Sequence, residues 1–97
     1  MNLITLRTKI VTAQTAINKA IAVDSFKAYK SIYNYYQTAI DKIDAGEQLS
    51  ERDIIKISAG GRMLYEAPLK NQKLMDEILV DLGDLYSYIS NEYWKKQ

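Results

Sequence analysis

The chain has 97 residues, 47% of them hydrophobic and 26% charged, with a formal net charge of +1. These values describe one globular domain over residues 1–97, near the smallest size that builds a core without disulfides or metal. Cysteine and histidine are both absent, which excludes disulfide stapling, thiolate and imidazole metal ligation, and the nucleophile–base pairs that need either residue.

The longest purely apolar run, residues 20–23, is far short of the roughly 20 residues that cross a bilayer. The amino terminus lacks the pattern of a secretory leader, so a cytoplasmic location is expected. A surplus of Ile, Lys, Tyr and Asn over Gly, Ala, Arg and Pro fits AT-rich coding, as in low-GC bacteria and their phages. Charge is unevenly placed: residues 1–40 carry a net +4 and residues 76–92 a net −5. An acidic last helix beside a basic first hairpin, or against another copy, would follow from that asymmetry.

In chain order, the first helix is predicted over about 2–22, with Asn2 as its cap. Leu3, Leu6, Ile10, Ala13, Ile17 and Ala20 recur at steps of three and four and form a packing seam. Thr5, Thr8, Thr12 and Thr15 lower the intrinsic helix preference, so burial must hold this segment. Phe26, Tyr29, Tyr33, Tyr36, Ile40 and Ile43 form a second seam displaced by two residues. The slip predicts a tight turn near Asp24, with Asp24 or Ser25 capping a second helix to about residue 45. A single rod over 2–45 is the rival, and it would make a dimer almost obligatory because its seam would lie bare.

Gly46 is placed to end the second helix in the left-handed region. Ser50 and Asp53 spell a capping box, flanked by the staple pair Leu49 and Ile54, for a third helix over about 51–66. Gly60 and Gly61 would weaken that helix by roughly 2 kcal/mol relative to alanines, yet a continuous helix is the expectation. Pro68 separates it from a last helix over about 69–95. That helix has the seam Met75, Ile78, Leu82, Leu85 and Ile89, a parallel stripe of Leu79, Tyr86 and Tyr93, and one weak link at Gly83. The sum is an all-α fold, an antiparallel up-down bundle of about four helices.

Chemistry has few candidates. Glu77, Asp81 and Asp84 share one face of the last helix with Asp76 nearby, but di-metal bundles need inward acids and histidines. A solvated acidic face is the reading, and no metal or other cofactor is expected. Gly60-Gly61-Arg62 is too short for a phosphate loop, and the serines lack a base, so catalysis is not expected.

Eight tyrosines, one phenylalanine and one tryptophan remain. Tyr29, Tyr33 and Tyr36 sit on the seam and read as core. Tyr35, Tyr65, Tyr88, Tyr93 and Trp94 flank the seams or lie near helix ends, where rings bring large area with few rotatable bonds. These five are the candidate partner-binding residues, with Asp81 and Asp84 selecting orientation. The expected function is non-catalytic binding of a protein partner or a second copy, as an inhibitor, immunity-type protein, adaptor or assembly factor. The alternative is a nucleic-acid-associated protein of a mobile element, tracking a strand with Lys27, Lys30, Tyr33, Tyr35 and Tyr36. The nearly neutral charge argues against it.

Overall fold

In the computed structural model, which describes residues 1–95, Asn2 opens the first helix. Its side-chain oxygen accepts the Thr5 N–H at 3.0 Å, and helix α1 runs Leu3–Val23. The hydroxyls of Thr8, Thr12 and Thr15 donate to the carbonyls of Ile4, Thr8 and Val11. Each threonine thus satisfies itself on its own helix and leaves the seam apolar. Leu6, Ile10, Ala13, Ile17 and Ala20 are buried as the spacing predicts, joined by Ala16, whereas Leu3 stays exposed in the first turn.

The chain turns after Val23. Asp24 and Phe26 take extended backbone angles, and helix α2 spans Lys27–Asp44. The 2–45 rod is thereby ruled out. With it goes the case for an obligate dimer, because α2 and the last long helix, Gln72–Ile89, cover the α1 seam from two sides. Neither Asp24 nor Ser25 caps α2. The Asp24 N–H bonds back to the Ala20 carbonyl, so Asp24 still belongs to the end of α1. The cap position is Phe26, which has no side-chain acceptor; its carbonyl takes the Tyr29 N–H at 3.1 Å, and its ring meets the Tyr29 ring edge-on.

At the other end, Gly46 has φ +74°. The Glu47 N–H reaches the Lys42 carbonyl and the Gly46 N–H reaches that of Ile43, the paired bonds of a Schellman ending. On the α2 seam Tyr29, Tyr36 and Ile40 are buried with Ile32 and Ala39, while Tyr33 and Ile43 are half-buried.

The Ser50–Asp53 capping box forms in both directions, and helix α3 is Glu51–Ser58. The expected continuous third helix does not form. It is divided at Ala59, whose N–H bonds the Lys56 carbonyl three residues back, and helix α4 restarts over Gly60–Glu66. A glycine pair lacks the propensity to hold a regular helix through that point.

The last helix also begins later than expected. Leu69 is buried in the connection, Asn71 caps the Leu74 N–H at 3.0 Å, and helix α5 spans Gln72–Ile89. Its seam of Met75, Ile78, Leu82, Leu85 and Ile89 is entirely buried. Beyond it, Ser90–Trp94 form a π-helical turn in which the Lys95 N–H reaches back five residues to the Ser90 carbonyl.

The described residues are all-helical, with five α-helices. α1 runs antiparallel to α2, fixed by Arg7–Asp44 and Gln14–Gln37, and antiparallel to α5, fixed by Asn2–Tyr88 and Lys9–Asp84. α2 runs antiparallel to the α3/α4 pair through Lys42–Asp53 near one end and Tyr29–Ala67 near the other. α3 and α4 also touch α5. The α3/α4 pair therefore lies across the core from α1, with α2 and α5 on the flanks.

Candidate functional site

The division at Ala59 shapes the surface between α3/α4 and α5. Gly60 faces inward against the Tyr36 hydroxyl, with no room for a Cβ, and Leu82 and Ile32 close in beside it. With Gly60 turned to the core, Ser58, Ala59, Gly61 and Arg62 line the outer side, where they meet a groove of about 640 Å³. α5 supplies the facing wall. Leu82 reaches both core and groove, and Leu79, Gly83 and Tyr86, at steps of four and three, form the adjoining stripe.

Trp94 completes the groove at one end. In a regular helix it would continue the rotation of α5, but the wider π turn advances less per residue. That turn takes Tyr93 out of the stripe expected from Leu79 and Tyr86 and places Trp94 in the groove instead. The two rings meet edge-on with centroids 4.8 Å apart, and both pack partly against the core.

The walls are apolar and open. Ile55, Tyr65 and Tyr86 are 51%, 67% and 54% exposed, and they line the same groove. Scattered exposed apolar side chains such as Ile4 and Val80 are ordinary. Here several converge around one concave surface. Among the described residues, Arg62 is the one charged side chain that lines the groove, and no carboxylate pairs with it.

Of the seven candidate binding residues, the structure brings Tyr65 and Trp94 together in the groove. The others lie elsewhere. Tyr35 is half-buried with the Lys56 ammonium 5.1 Å from its ring centroid. Tyr88 exchanges hydrogen bonds with the Asn2 backbone, and Lys9 sits 5.7 Å from its ring. Lys9 also pairs with Asp84 at 2.8 Å, so part of the acidic face of α5 lies beside the basic α1. Asp81 is half-buried outside the groove, and Tyr93 is half-buried beside Trp94. Sequence reasoning missed Tyr86, Leu79, Ile55 and Arg62 as site residues. The signal that could have found them was Gly83, an unforced glycine inside a helix, flanked by Leu79 and Tyr86.

Two tyrosines have perturbed hydroxyls. Burial pushes the pKa of the Tyr36 hydroxyl far above its ordinary range, and among the described residues that hydroxyl has no hydrogen-bond partner. Desolvation, then the charge of Asp24, raises Tyr29, whose hydroxyl donates to the Ala67 carbonyl. Tyr36, only 1% exposed, offers no ring face to a nucleic-acid base. Among the described residues, no group of three or more acids is placed to hold a metal ion, and no helix is long and apolar enough to cross a membrane. The chain matches no protein-family model, and no curated protein or solved structure matches it.

Proposed function

We propose that this chain acts without catalysis, by binding a protein partner in the groove between α3/α4 and α5. The observation that carries the reading is the convergence of Ile55, Tyr65, Tyr86 and Trp94 around one open apolar concavity. Large rings held on rigid helices lose little conformational entropy on docking and bury much area, which is why they dominate binding energy at interfaces. Helix packing fixes the groove beforehand, with α1 and α2 forming the opposite side of an up-down-up-down arrangement whose third member is the α3/α4 pair. An inhibitor, immunity-type protein, adaptor or assembly factor would all work this way. The candidate residues Tyr35, Tyr88, Asp81 and Asp84 fall outside this surface; the contacts of Tyr35 join α2 to α3, and those of Tyr88 and Asp84 join α5 to α1.

The test is comparative capture from a lysate of the native host. Wild type and a Tyr65→Ala, Tyr86→Ala double variant are immobilised in parallel, with circular dichroism confirming equal helicity. A protein retained by wild type and lost by the variant supports the reading. Retention of DNA or RNA that falls with salt and persists in the variant points to the nucleic-acid function and overturns it.

A further inference from the structure

We infer that the occupant of this groove is an α-helix of the partner protein, laid close over Gly61 and Gly83 with a carboxylate directed at Arg62. This inference rests on the proposed groove-binding function and narrows it to one kind of ligand.

The glycines carry the first part. In a helix interior, glycine is less favourable than alanine by roughly 0.8–1 kcal/mol. Gly60 has an internal reason to be glycine, since a Cβ would run into Tyr36. Gly83 has none: among the described residues nothing beyond its own helix backbone and chain neighbours comes within 4 Å of where its Cβ would stand, and the same space is open beside Gly61 in the first turn of α4. Both border the same groove, together with the small residues Ser58 and Ala59. Glycine at such a place permits close approach by another backbone, and a helix seated over small residues reaches the short end of the roughly 8–10 Å interaxial range. A β-strand would need a free sheet edge to pair with, and the walls here are helices whose backbone groups are bonded internally.

Arg62 carries the second part. A helix seated between Tyr65 and Tyr86 would shield the Arg62 guanidinium from water, and an unpaired charge so covered is strongly unfavourable. Among the described residues no carboxylate forms an ion pair with it, so the complementary occupant brings an Asp or Glu to that position. The ligand class is an amphipathic helix with a small apolar stripe and one acid at fixed register.

The probe is a displayed peptide library with two arms: helix-stabilised peptides of about 18 residues, roughly 27 Å long, and extended proline-rich peptides. Both arms are selected on wild type and counter-selected on Gly83→Leu, which fills the groove while keeping a good helix former at that position. Trp94 is the only tryptophan in the chain and lies in the groove, so its fluorescence reports binding of tryptophan-free hits. The expected result is enrichment of helical peptides with small apolar residues at three-four spacing and an acid at one register. Arg62→Glu should weaken those hits by at least about tenfold and favour versions carrying Lys in place of the acid. Enrichment of the extended arm, no groove-dependent binder in either arm, or self-association abolished by Gly83→Leu would each overturn the helix assignment. The two readings separate in native-host capture. A partner lost with Tyr65→Ala, Tyr86→Ala but retained by Gly83→Leu and Arg62→Glu leaves the groove reading standing and removes the helix, whereas indifference to all four changes removes both.

Discussion

The Tyr36 hydroxyl occupies the space into which a side chain at Gly60 would grow. α2 and α4 meet there in the core, with Leu82 of α5 and Ile32 of α2 closing the same space. Gly60→Ala should therefore destabilise the protein by about 1–3 kcal/mol through overpacking, although alanine is the better helix former. Tyr36→Phe removes the obstructing oxygen, so the double variant should recover most of that loss. Urea unfolding of the four proteins forms the test, and additive losses in the double variant would show that the two sites are independent.

Tyr36→Phe alone has a second consequence. Its hydroxyl is buried without a partner among the described residues, so deleting it should leave stability at pH 7 unchanged or raised by up to about 1 kcal/mol. In the folded protein burial raises the Tyr36 pKa above the unfolded value of about 10. Stability linked to this group is therefore complete below about pH 10 and is lost as alkali draws the chain toward the unfolded, ionised form. Tyr36→Phe should shift the alkaline unfolding midpoint upward, read by circular dichroism alongside phenolate absorbance. Wild-type Tyr36 should ionise only as helicity disappears.

Acid sensitivity is centred on Asp53. Its carboxylate accepts from the Lys42 ammonium at 2.7 Å and from the Ser50 N–H at 2.9 Å, and the Lys42 bond leads in holding its pKa below the ordinary carboxylate value. A depressed folded-state pKa means that the stabilisation is present above about pH 4 and lost as pH falls through the folded value. Asp53→Asn keeps an acceptor for the cap but loses the charge. It should cost about 0.5–1 kcal/mol at pH 7 and narrow the difference in Tm between pH 7 and about pH 2.5.

The parts of this fold written in periodicity were readable from the sequence, and the parts written in exceptions were not. Each buried seam, from Leu6–Ala20 to Met75–Ile89, follows from three-four spacing, and Asn2, Gly46 and Ser50 act as local signals of helix ends. Phe26 and Asn71 were harder to assign because one caps without a side-chain acceptor and the other competes with Pro68 as a helix start. The glycine pair marks where the helix divides, but that Gly60 is the one turned inward against Tyr36 is a relation across 24 positions that no local pattern encodes. The groove was legible only in fragments, as Tyr65, Trp94 and the stripe through Leu79 and Tyr86. Its assembly needs the bend at Ala59 and the π turn, which rotate side chains away from where a regular helix would put them.

The aromatic residues near the groove should separate into two classes under alanine substitution. Tyr65 and Tyr86 are exposed, so Tyr65→Ala and Tyr86→Ala should change stability by no more than about 0.5 kcal/mol each. Tyr93 and Trp94 pack against the core and against each other. Their double alanine variant should lose about 2–4 kcal/mol and so cannot by itself separate binding from folding. Thermal melts of the three variants check the division, and a large loss for Tyr86→Ala would make that ring part of the core.

Gly83 tests whether a weak link in α5 serves the free protein at all. Among the described residues nothing beyond its own helix backbone and chain neighbours comes within 4 Å of where its Cβ would stand, and the residue lies in the middle of the helix at an exposed position. If the isolated fold alone governed the choice, alanine would be preferable there on propensity and on unfolded-state entropy. Gly83→Ala should therefore stabilise the free protein by about 0.5–1 kcal/mol, raising Tm by roughly 2–8 °C for a domain of this size. The opposite sign is expected for Gly60→Ala, identical in chemistry but turned to the core. A fall in Tm for Gly83→Ala would mean that the glycine answers a constraint within the chain, and the close-approach argument for a docked helix would lose its premise.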